Sequence, residues 1–261
     1  MLTTLITIGG VIFTFVTTLF ILSIIVKRND IADIAWGTGI LIVAVTSYLL
    51  SPGSNLVQTI MLGLVTLWGV RLTVRILLRN LKKSEDYRYK KWRDEWGGWF
   101  YPRSYLQVYL LQGALMIVVG YPFIHASIYS SELALSVWFW LGLIVWCIGY
   151  VFEVVGDYQL DRFLQQPPEK GAIMQRGLWK YTRHPNYFGE VTMWWGVWLM
   201  VVVLPFSFVA LMSPLMITFL ILKVSGIPML EEKFAGNPAW EAYRKRTSVF
   251  FPLPPRPNKD T

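Results

Sequence analysis

Long apolar runs, separated by short polar breaks, make up most of the chain. A hydrocarbon core about 30 Å thick is crossed by roughly 20 residues of α-helix, and seven of the runs come close to that length. The pattern therefore predicts an all-α fold, a polytopic membrane bundle of about seven transmembrane helices. The predicted spans are residues 2–26, 31–50, 56–78, 105–124, 133–155, 187–204 and 206–224.

The composition is typical of a membrane protein, and it argues against disulfide and metal chemistry. Of 261 residues, 54% are hydrophobic and 15% are charged, which is too apolar for a soluble domain of this size. One cysteine excludes a disulfide framework, and two histidines without a Cys/His cluster argue against a metal site. No internal repeat or linker divides the chain, so we expect a single integral membrane domain over residues 1–261.

The formal charge of +8 is unevenly distributed. Nearly all of the 24 Lys and Arg lie in or beside alternate connecting segments, whereas segments 51–55 and 125–132 contain none. The positive-inside rule then places the amino terminus outside and the carboxyl terminus in the cytoplasm. Since topology explains the charge, the lipid bilayer is an expected partner and nucleic acid is not. The basic segments are residues 27–30, 79–104, 156–186 and 225–261.

One basic segment, residues 80–103, is also rich in aromatic residues. Its Trp92, Trp96 and Trp99 are typical of a helix that lies at the headgroup level of a membrane. A connection of this length in a compact protein also often carries function. Both interpretations stay open at this point.

Ionisable side chains stand near the cytoplasmic ends of four predicted helices. Such groups are costly in a membrane unless they are paired or face a wet cavity. Spacings of four residues place the arginines of the third helix on one face, and likewise the two carboxylates of the fifth. We expect a polar pocket that opens to the cytoplasm, although structural ion pairs would give the same spacing. The residues are Asp30 and Asp33 in the second helix, Arg71, Arg75 and Arg79 in the third, Glu153 and Asp157 in the fifth, and Glu190 in the sixth.

The densest polar and aromatic run occupies residues 177–190, where a loop meets the sixth predicted helix. It reads Gly-Leu-Trp-Lys-Tyr-Thr-Arg-His-Pro-Asn-Tyr-Phe-Gly-Glu. Pro185 suits the first turn of a helix and disfavours helix at the residue before it. A helix amino terminus beside Arg183 and His184 predicts an anion site for a phosphate or a carboxylate.

With this run the sequence resembles the steroid 5α-reductase family, most closely its bacterial branch of uncharacterised membrane proteins. The resemblance extends in order and spacing over most of the chain. Its other supporting motifs are Asp33-Ile-Ala-Trp-Gly37, Trp68-Gly-Val-Arg71, Asp86-Tyr-Arg-Tyr89, Asp157-Tyr-Gln-Leu160 and Phe163.

The resemblance implies a seven-helix fold that binds NADPH from the cytoplasmic side, mainly within residues 153–252. It implies reduction of a carbon–carbon double bond conjugated to a carbonyl, in a lipophilic, steroid- or isoprenoid-like substrate. It also favours the bacterial inner membrane as the location. The residues that match the family's cofactor-binding positions are Arg71, Asp157, Asn186, Glu190 and Tyr243.

The chemistry of NADPH independently favours further residues near these positions. Its phosphates require cations and a helix terminus, and its carboxamide requires amide partners. No Gly-x-Gly-x-x-Gly fingerprint is present, so a Rossmann site is excluded. The additional candidates for cofactor binding are Arg75, Arg79, Tyr181, Arg183, His184 and Tyr187.

The family's catalytic pair is only partly matched. Steroid reductases use a glutamate early in the second span and a tyrosine in the third, and here Asp33 and Trp68 fall near those positions. An indole N–H donates a hydrogen bond but does not release a proton at ordinary pH. We therefore predict Asp33 as the catalytic carboxyl group and a nearby tyrosine, Tyr87 or alternatively Tyr89, as the proton donor.

Two rival functions have support in the sequence. The run from Arg183 to Gly189, followed by Glu231-Glu-Lys-Phe234 and Trp240-x-x-Tyr243, also resembles the isoprenylcysteine carboxyl methyltransferases and phospholipid methyltransferases, which bind S-adenosylmethionine. Asp157, Asn186 and the amino-terminal half of the chain favour the reductase. A membrane protein without catalytic activity is the third possibility.

Overall fold

A computed structural model describes residues 1–53, 55–81, 83–165 and 171–257. Parts of the predicted basic segments 156–186 and 225–261 therefore lie outside the described residues. Within the described ranges the chain is helical, apart from an isolated parallel bridge between Thr182 and Ser248. The predicted all-α fold is confirmed.

The helices follow the apolar runs. Short 3₁₀ or π turns connect some of them, at Gly97–Trp99, Tyr105–Leu110, Gly177–Lys180 and Leu220–Val224. In chain order the α-helices of the described residues are α1 (Leu2–Val26), α2 (Ile31–Leu49), α3 (Leu56–Leu81), α4 (Tyr87–Trp96), α5 (Phe100–Ser104), α6 (Leu111–Val119), α7 (Tyr121–Ile128), α8 (Val137–Gln165), α9 (Pro185–Val201), α10 (Ser207–Ala210), α11 (Met212–Phe219), α12 (Ile227–Glu232) and α13 (Pro238–Arg246).

The described part of the chain has five helical stretches long and apolar enough to cross a membrane, which identifies an integral membrane protein. A sixth span results if the pair Tyr87–Val119 and Tyr121–Ile128, bent by 48°, is counted as one. The bend lies next to Pro122, which cannot donate the hydrogen bond that a continuous helix needs. The five stretches are Leu2–Val26, Ile31–Leu49, Leu56–Leu81, Val137–Gln165 and Ser207–Glu232.

Two predicted spans differ from the helices observed. Helix α9 has 17 residues and is shorter than the five candidate spans, although it occupies the predicted span 187–204. Helix α8 begins at Val137 and continues to Gln165, past the predicted end of span 133–155. No proline interrupts residues 137–165, so the helix runs on beyond its apolar part. As a result Asp157 lies within a helix rather than after one.

The chain divides into two compact units. The first comprises Met1–Leu135 with Val201–Ser213, and the second comprises Ser136–Met200 with Pro214–Thr261. The expectation of a single domain over 1–261 stays a prediction.

In the first unit α2 is the central helix and packs against α1, α3, α6 and α7. It crosses α3 closely, because a Cβ atom added to Gly37 would lie 2.7 Å from the carbonyl oxygen of Gly69. The turn between α1 and α2 is held by polar contacts. Arg28 pairs with Asp30 at 2.7 Å and donates to the carbonyl of Asn80 at 3.1 Å. The hydrogen bond to Asp30 raises the pKa of Arg28, so this cation stays charged.

In the second unit α8 and α9 approach along glycines. Gly142, Gly149 and Gly156 recur every seven residues on α8, and each faces backbone atoms of α9. A Cβ atom added to Gly149 would lie 2.5 Å from the carbonyl oxygen of Gly189. Small residues of this kind let two helix backbones approach within van der Waals contact. The seam therefore determines which side chains of α8 and α9 meet.

We expect Gly149→Ala to destabilise the protein by about 1–3 kcal/mol, because the atoms that crowd the new methyl group include backbone atoms that cannot rotate away. Gly63→Ala is the matched control, since Gly63 lies within α3 and a Cβ atom there meets nothing within 4 Å. Thermal unfolding in detergent measures both variants. Equal melting temperatures for the two would contradict the close approach of α8 and α9.

Candidate functional site

The loop before α9 is held by the carboxyl-terminal segment of the same unit. Thr182 donates its hydroxyl to the carbonyl of Phe250 at 2.8 Å, and the backbone N–H of Arg183 donates to the carbonyl of Ser248 at 2.9 Å. The Thr182 hydroxyl oxygen also accepts the backbone N–H of His184 at 3.3 Å. Helix α9 then begins at Pro185, as the sequence predicted. These bonds give the start of α9 a defined position.

Arg183 forms a buried ion pair with Glu231. Its Nε lies 2.9 Å from Oε1 of the carboxylate, and its Nη2 lies 3.3 Å from Oε2. Nη1 donates to the carbonyls of Arg244 and Thr247, at 3.1 and 2.8 Å. Four of the five guanidinium N–H groups are thereby engaged with the protein. Arg183 was predicted to bind the cofactor, but its charge is directed to Glu231 and its donors tie the loop to α12 and α13.

His184 shares the same carboxylate. Its Nε2 lies 2.9 Å from Oε1 of Glu231. The same oxygen accepts a hydrogen bond from Nε of Arg183, so Nε2 of His184 is the donor in this contact. Burial lowers the pKa of His184, and the hydrogen bond that it donates to Glu231 only partly opposes this effect. The ring is therefore neutral at pH 7, with its proton on Nε2. Within the described residues Nδ1 has no hydrogen-bond partner, and the ring stacks on Tyr187 with centroids 5.7 Å apart. An acceptor with a free lone pair thus lies at the start of α9.

Asp157 and Asn186 meet across the glycine seam. The side-chain amide of Asn186 donates to Oδ1 of Asp157 at 3.1 Å. The contact depends on Gly156, because a Cβ atom there would lie 3.1 Å from the backbone nitrogen of Asn186. Asp157 is buried and Asn186 is partly exposed. Two residues that the resemblance assigned to the cofactor are therefore adjacent.

The loop residue Trp179 supports the contact between Asp157 and Asn186, and Tyr243 of α13 supports Trp179. Trp179 donates its indole N–H to the carbonyl of Gly156 at 3.0 Å, and the buried Tyr243 donates its hydroxyl to the carbonyl of Trp179. Burial raises the pKa of Tyr243, which keeps its hydroxyl protonated as a donor. Tyr243 was predicted to bind the cofactor, and here it holds the loop. Of the other predicted residues, Tyr181 is 42% exposed and Glu190 is partly buried on α9.

A second polar cluster lies in the first unit, around Asp33 on α2. Arg88 donates to one carboxylate oxygen of Asp33 at 2.7 Å, and the hydroxyl of Tyr89 donates to the other at 2.9 Å. Arg88 is also bound to Asp86, the residue that caps α4, at 2.9 Å. The side chain of Asp33 keeps 21% of its surface exposed. The cluster is therefore partly accessible.

The two tyrosines that the sequence offered as partners of Asp33 differ in their surroundings. Tyr87, the first choice from the sequence, is 49% exposed, whereas the buried Tyr89 is bonded to Asp33. Tyr89, the alternative that the sequence offered, is thus bonded to Asp33, and the catalytic role of either tyrosine stays a prediction. Trp68, at the place of the family tyrosine, is 2% exposed and lies in the core of the first unit. Arg88 was missed because no spacing within its own helix indicates a partner 55 residues away.

The arginine stripe of α3 belongs to the first unit. Arg71, Arg75 and Arg79 lie at spacings of four residues, with Arg79 exposed and the other two partly buried. Their role in cofactor binding stays a prediction. Among the described residues there is no group of three or more His, Cys, Asp or Glu that could hold a metal ion.

Comparisons with known proteins agree with the resemblance to steroid 5α-reductases. The family described as "Protein of unknown function (DUF1295)" matches residues 19–247. An uncharacterised protein of Schizosaccharomyces pombe is 26% identical over 223 residues, 74% of this chain and 62% of the yeast protein. The 3-oxo-5-alpha-steroid 4-dehydrogenase 1 of Mus musculus is 34% identical over 71 residues, and that of Homo sapiens is 32% identical over 73. These two local matches cover 28% of each dehydrogenase and 27% and 28% of this chain. No solved structure matches the chain significantly.

We expect the stability of the protein to fall as the pH is lowered from 7 to 5. The unfolded chain takes up a proton on His184 near pH 6.5, whereas the folded chain, with its lowered pKa, takes it up only at lower pH. This contribution is at most ~1.4 kcal/mol per pH unit. Thermal unfolding should show a shallower pH dependence for His184→Gln, which retains a donor toward Glu231. Gln107→Ala, at an exposed side chain that does not titrate, serves as the control. An unchanged slope in His184→Gln would contradict the neutral state of the ring.

Proposed function

Because the chain belongs to the DUF1295 family, which is associated with steroid 5α-reductase-like proteins, we propose that it is a membrane-embedded reductase. The proposed reaction is the NADPH-dependent reduction of a carbon–carbon double bond conjugated to a carbonyl, in a lipophilic substrate such as a steroid- or isoprenoid-like enone. The chain spans 62% of its yeast relative and matches the dehydrogenases only locally. The proposal therefore also rests on the site itself.

The contact between Asp157 and Asn186 carries the proposal. These residues are 29 positions apart, and the resemblance assigns both to the cofactor. An amide held by a buried carboxylate is a suitable partner for a carboxamide. Asn186 retains its carbonyl oxygen and a second amide N–H for such a partner.

The donors and acceptors near this pair fit NADPH. The nucleotide offers carboxamide and ribose hydroxyl donors, and Nδ1 of His184 is a buried acceptor that finds no partner in the described residues. Tyr187 and Glu190 follow on the first turns of α9. We propose that Asn186 and His184 orient the nucleotide while Asp157 orients Asn186. When bound, NADPH would supply the reducing electrons for the double bond.

Tyr89 is the proposed proton donor, and Asp33 is the proposed catalytic carboxylate that orients it. A reduced enone needs a proton in addition to electrons, and its carbonyl oxygen becomes more basic as the reaction proceeds. The hydroxyl of Tyr89 donates a hydrogen bond to the carboxylate of Asp33, which gives this hydroxyl a defined orientation. Arg88 holds the carboxylate in place and balances its charge.

The contacts of Glu231 bear on the methyltransferase alternative. Glu231 and Glu232 were the residues that favoured it, and Glu231 forms one network with Arg183 and His184 that positions the loop and α9. Such a network is useful to either enzyme. The shared motif therefore does not distinguish the two functions, and only the bound nucleotide does.

We also propose seven membrane spans, with α9 counted among them, the amino terminus outside and the carboxyl terminus in the cytoplasm, in a bacterial inner membrane. The unequal distribution of Lys and Arg supports this orientation.

The detergent-solubilised protein should bind NADPH in preference to S-adenosylmethionine. Asn186→Ala should weaken NADPH binding by ~1–3 kcal/mol, the usual cost of leaving a buried hydrogen-bonding group without its partner. Gln107→Ala, an exposed amide in the first unit, is the control. Titration by isothermal calorimetry measures both ligands. Tighter binding of S-adenosylmethionine would favour the methyltransferase. If neither ligand bound, the motif of residues 177–190 would be structural only.

Removing the proton donor should lower turnover without weakening NADPH binding. We expect Tyr89→Phe and Asp33→Asn each to slow NADPH oxidation with a lipophilic enone by about 10²–10⁴-fold. Tyr87→Phe should retain normal turnover, because Tyr87 is the exposed tyrosine of the same helix. If Asp33→Asn instead lowers the melting temperature and Tyr89→Phe turns over normally, the cluster is structural.

Single cysteines test the orientation in a Cys147→Ala background. A membrane-impermeant maleimide added to intact cells should label Gly53→Cys and should reach Lys245→Cys only after permeabilisation. Both positions are exposed. The opposite labelling pattern would reverse the proposed topology.

A further inference from the structure

Helix α4 has two chemically different faces. One face is bound to the first unit, through Arg88 and Tyr89 on Asp33 and through Arg93 on Glu85 at 3.1 Å. The opposite face is exposed and carries Lys90 and Lys91. Because one face is clamped by ion pairs, the cations of the other face are held at defined positions rather than on a free loop.

These lysines belong to a larger cluster, which we call the basic rim. It lies where α1 and α3 end and α4 and α5 follow, so its members share one end of the first unit. The described residues of the same connections carry only two exposed carboxylates, Asp94 and Glu95. Glu95 lies 3.8 Å from Lys91. The rim is therefore strongly positive. Its exposed cations are Lys27, Arg79, Lys83, Lys90, Lys91 and Arg103.

Exposed aromatic and aliphatic side chains accompany the basic rim. Trp99 is 70% exposed and Tyr101 is 41% exposed, while Arg103 lies over the ring of Trp96 at 5.8 Å. Leu81, at the end of α3, is 69% exposed. Aromatic rings and arginines arranged in this way are typical of the boundary between headgroups and acyl chains.

We propose that the basic rim binds the headgroups of anionic phospholipids. The cations match a phosphate-bearing headgroup of net negative charge, and the exposed Trp99 and Leu81 offer contact to the glycerol and acyl region of the same molecule. A free phosphate would use the cations alone and leave the apolar side chains without a partner. Lysines that served topology only would need neither the clamped helix nor the aromatic residues beside them.

Short-chain lipids test the proposal on the full-length protein in detergent. Dihexanoyl phosphatidylglycerol should raise the melting temperature and appear as bound lipid in native mass spectrometry, whereas dihexanoyl phosphatidylcholine should do neither at the same concentration. Each cation near a lipid surface contributes about a fivefold change in affinity. The variant Lys83→Gln/Lys90→Gln/Lys91→Gln should therefore weaken phosphatidylglycerol binding by at least tenfold, and Trp99→Ala should weaken it too.

A matched triple variant controls for total charge. Lys180→Gln/Lys233→Gln/Lys245→Gln removes three exposed lysines of the second unit and should leave the affinity unchanged. Asp94→Asn/Glu95→Gln should tighten binding. The proposal would be overturned if both triple variants lost the same affinity for phosphatidylglycerol, or if the two lipids bound equally well. It would also be overturned if sodium phosphate raised the melting temperature as much as phosphatidylglycerol does. None of these outcomes depends on NADPH, so the proposed reductase function stands or fails separately.

Discussion

An ionised side chain among apolar helices is costly unless a partner of opposite charge and further hydrogen bonds accompany it. The clusters around Glu231 and Asp33 satisfy that constraint in the same way. In the second unit Glu231 lies between Arg183 and the neutral His184, and in the first unit Asp33 lies between Arg88 and Tyr89. In each cluster the arginine compensates the carboxylate. The neutral group then remains as the one that can exchange a hydrogen bond with a ligand.

The arginines of the two clusters hold the carboxylates, whereas His184 and Tyr89 remain able to contact a ligand. Arg183 uses its donors on Glu231 and on backbone carbonyls, so its loss would disturb the loop before it disturbed a ligand. His184 keeps Nδ1 available beside Asn186. Tyr89 likewise can redirect its hydroxyl while Arg88 keeps Asp33 in place.

Close backbone approach is the second requirement for these contacts. The amide of Asn186 reaches Asp157 because glycine occupies the facing position of α8, and α2 and α3 approach in the same manner at Gly37 and Gly69. Larger residues at these positions would separate the helices and lengthen hydrogen bonds that are now near 3 Å. The glycines of the helices therefore belong to the architecture of the sites, although they carry no functional group themselves.

The sequence alone determined the membrane location, the helical class and the position of the motif at the start of α9. Each depends on local properties, since the length of an apolar run and the effect of Pro185 act over a few residues. The choice of partners was decided by the tertiary structure. Arg88 and Tyr89 lie 55 and 56 residues from Asp33, and Glu231 lies 47 residues from His184. Which faces of two helices meet depends on packing along the whole helix, so Tyr89 and Tyr87, two residues apart, were distinguished only when α4 was placed against α2.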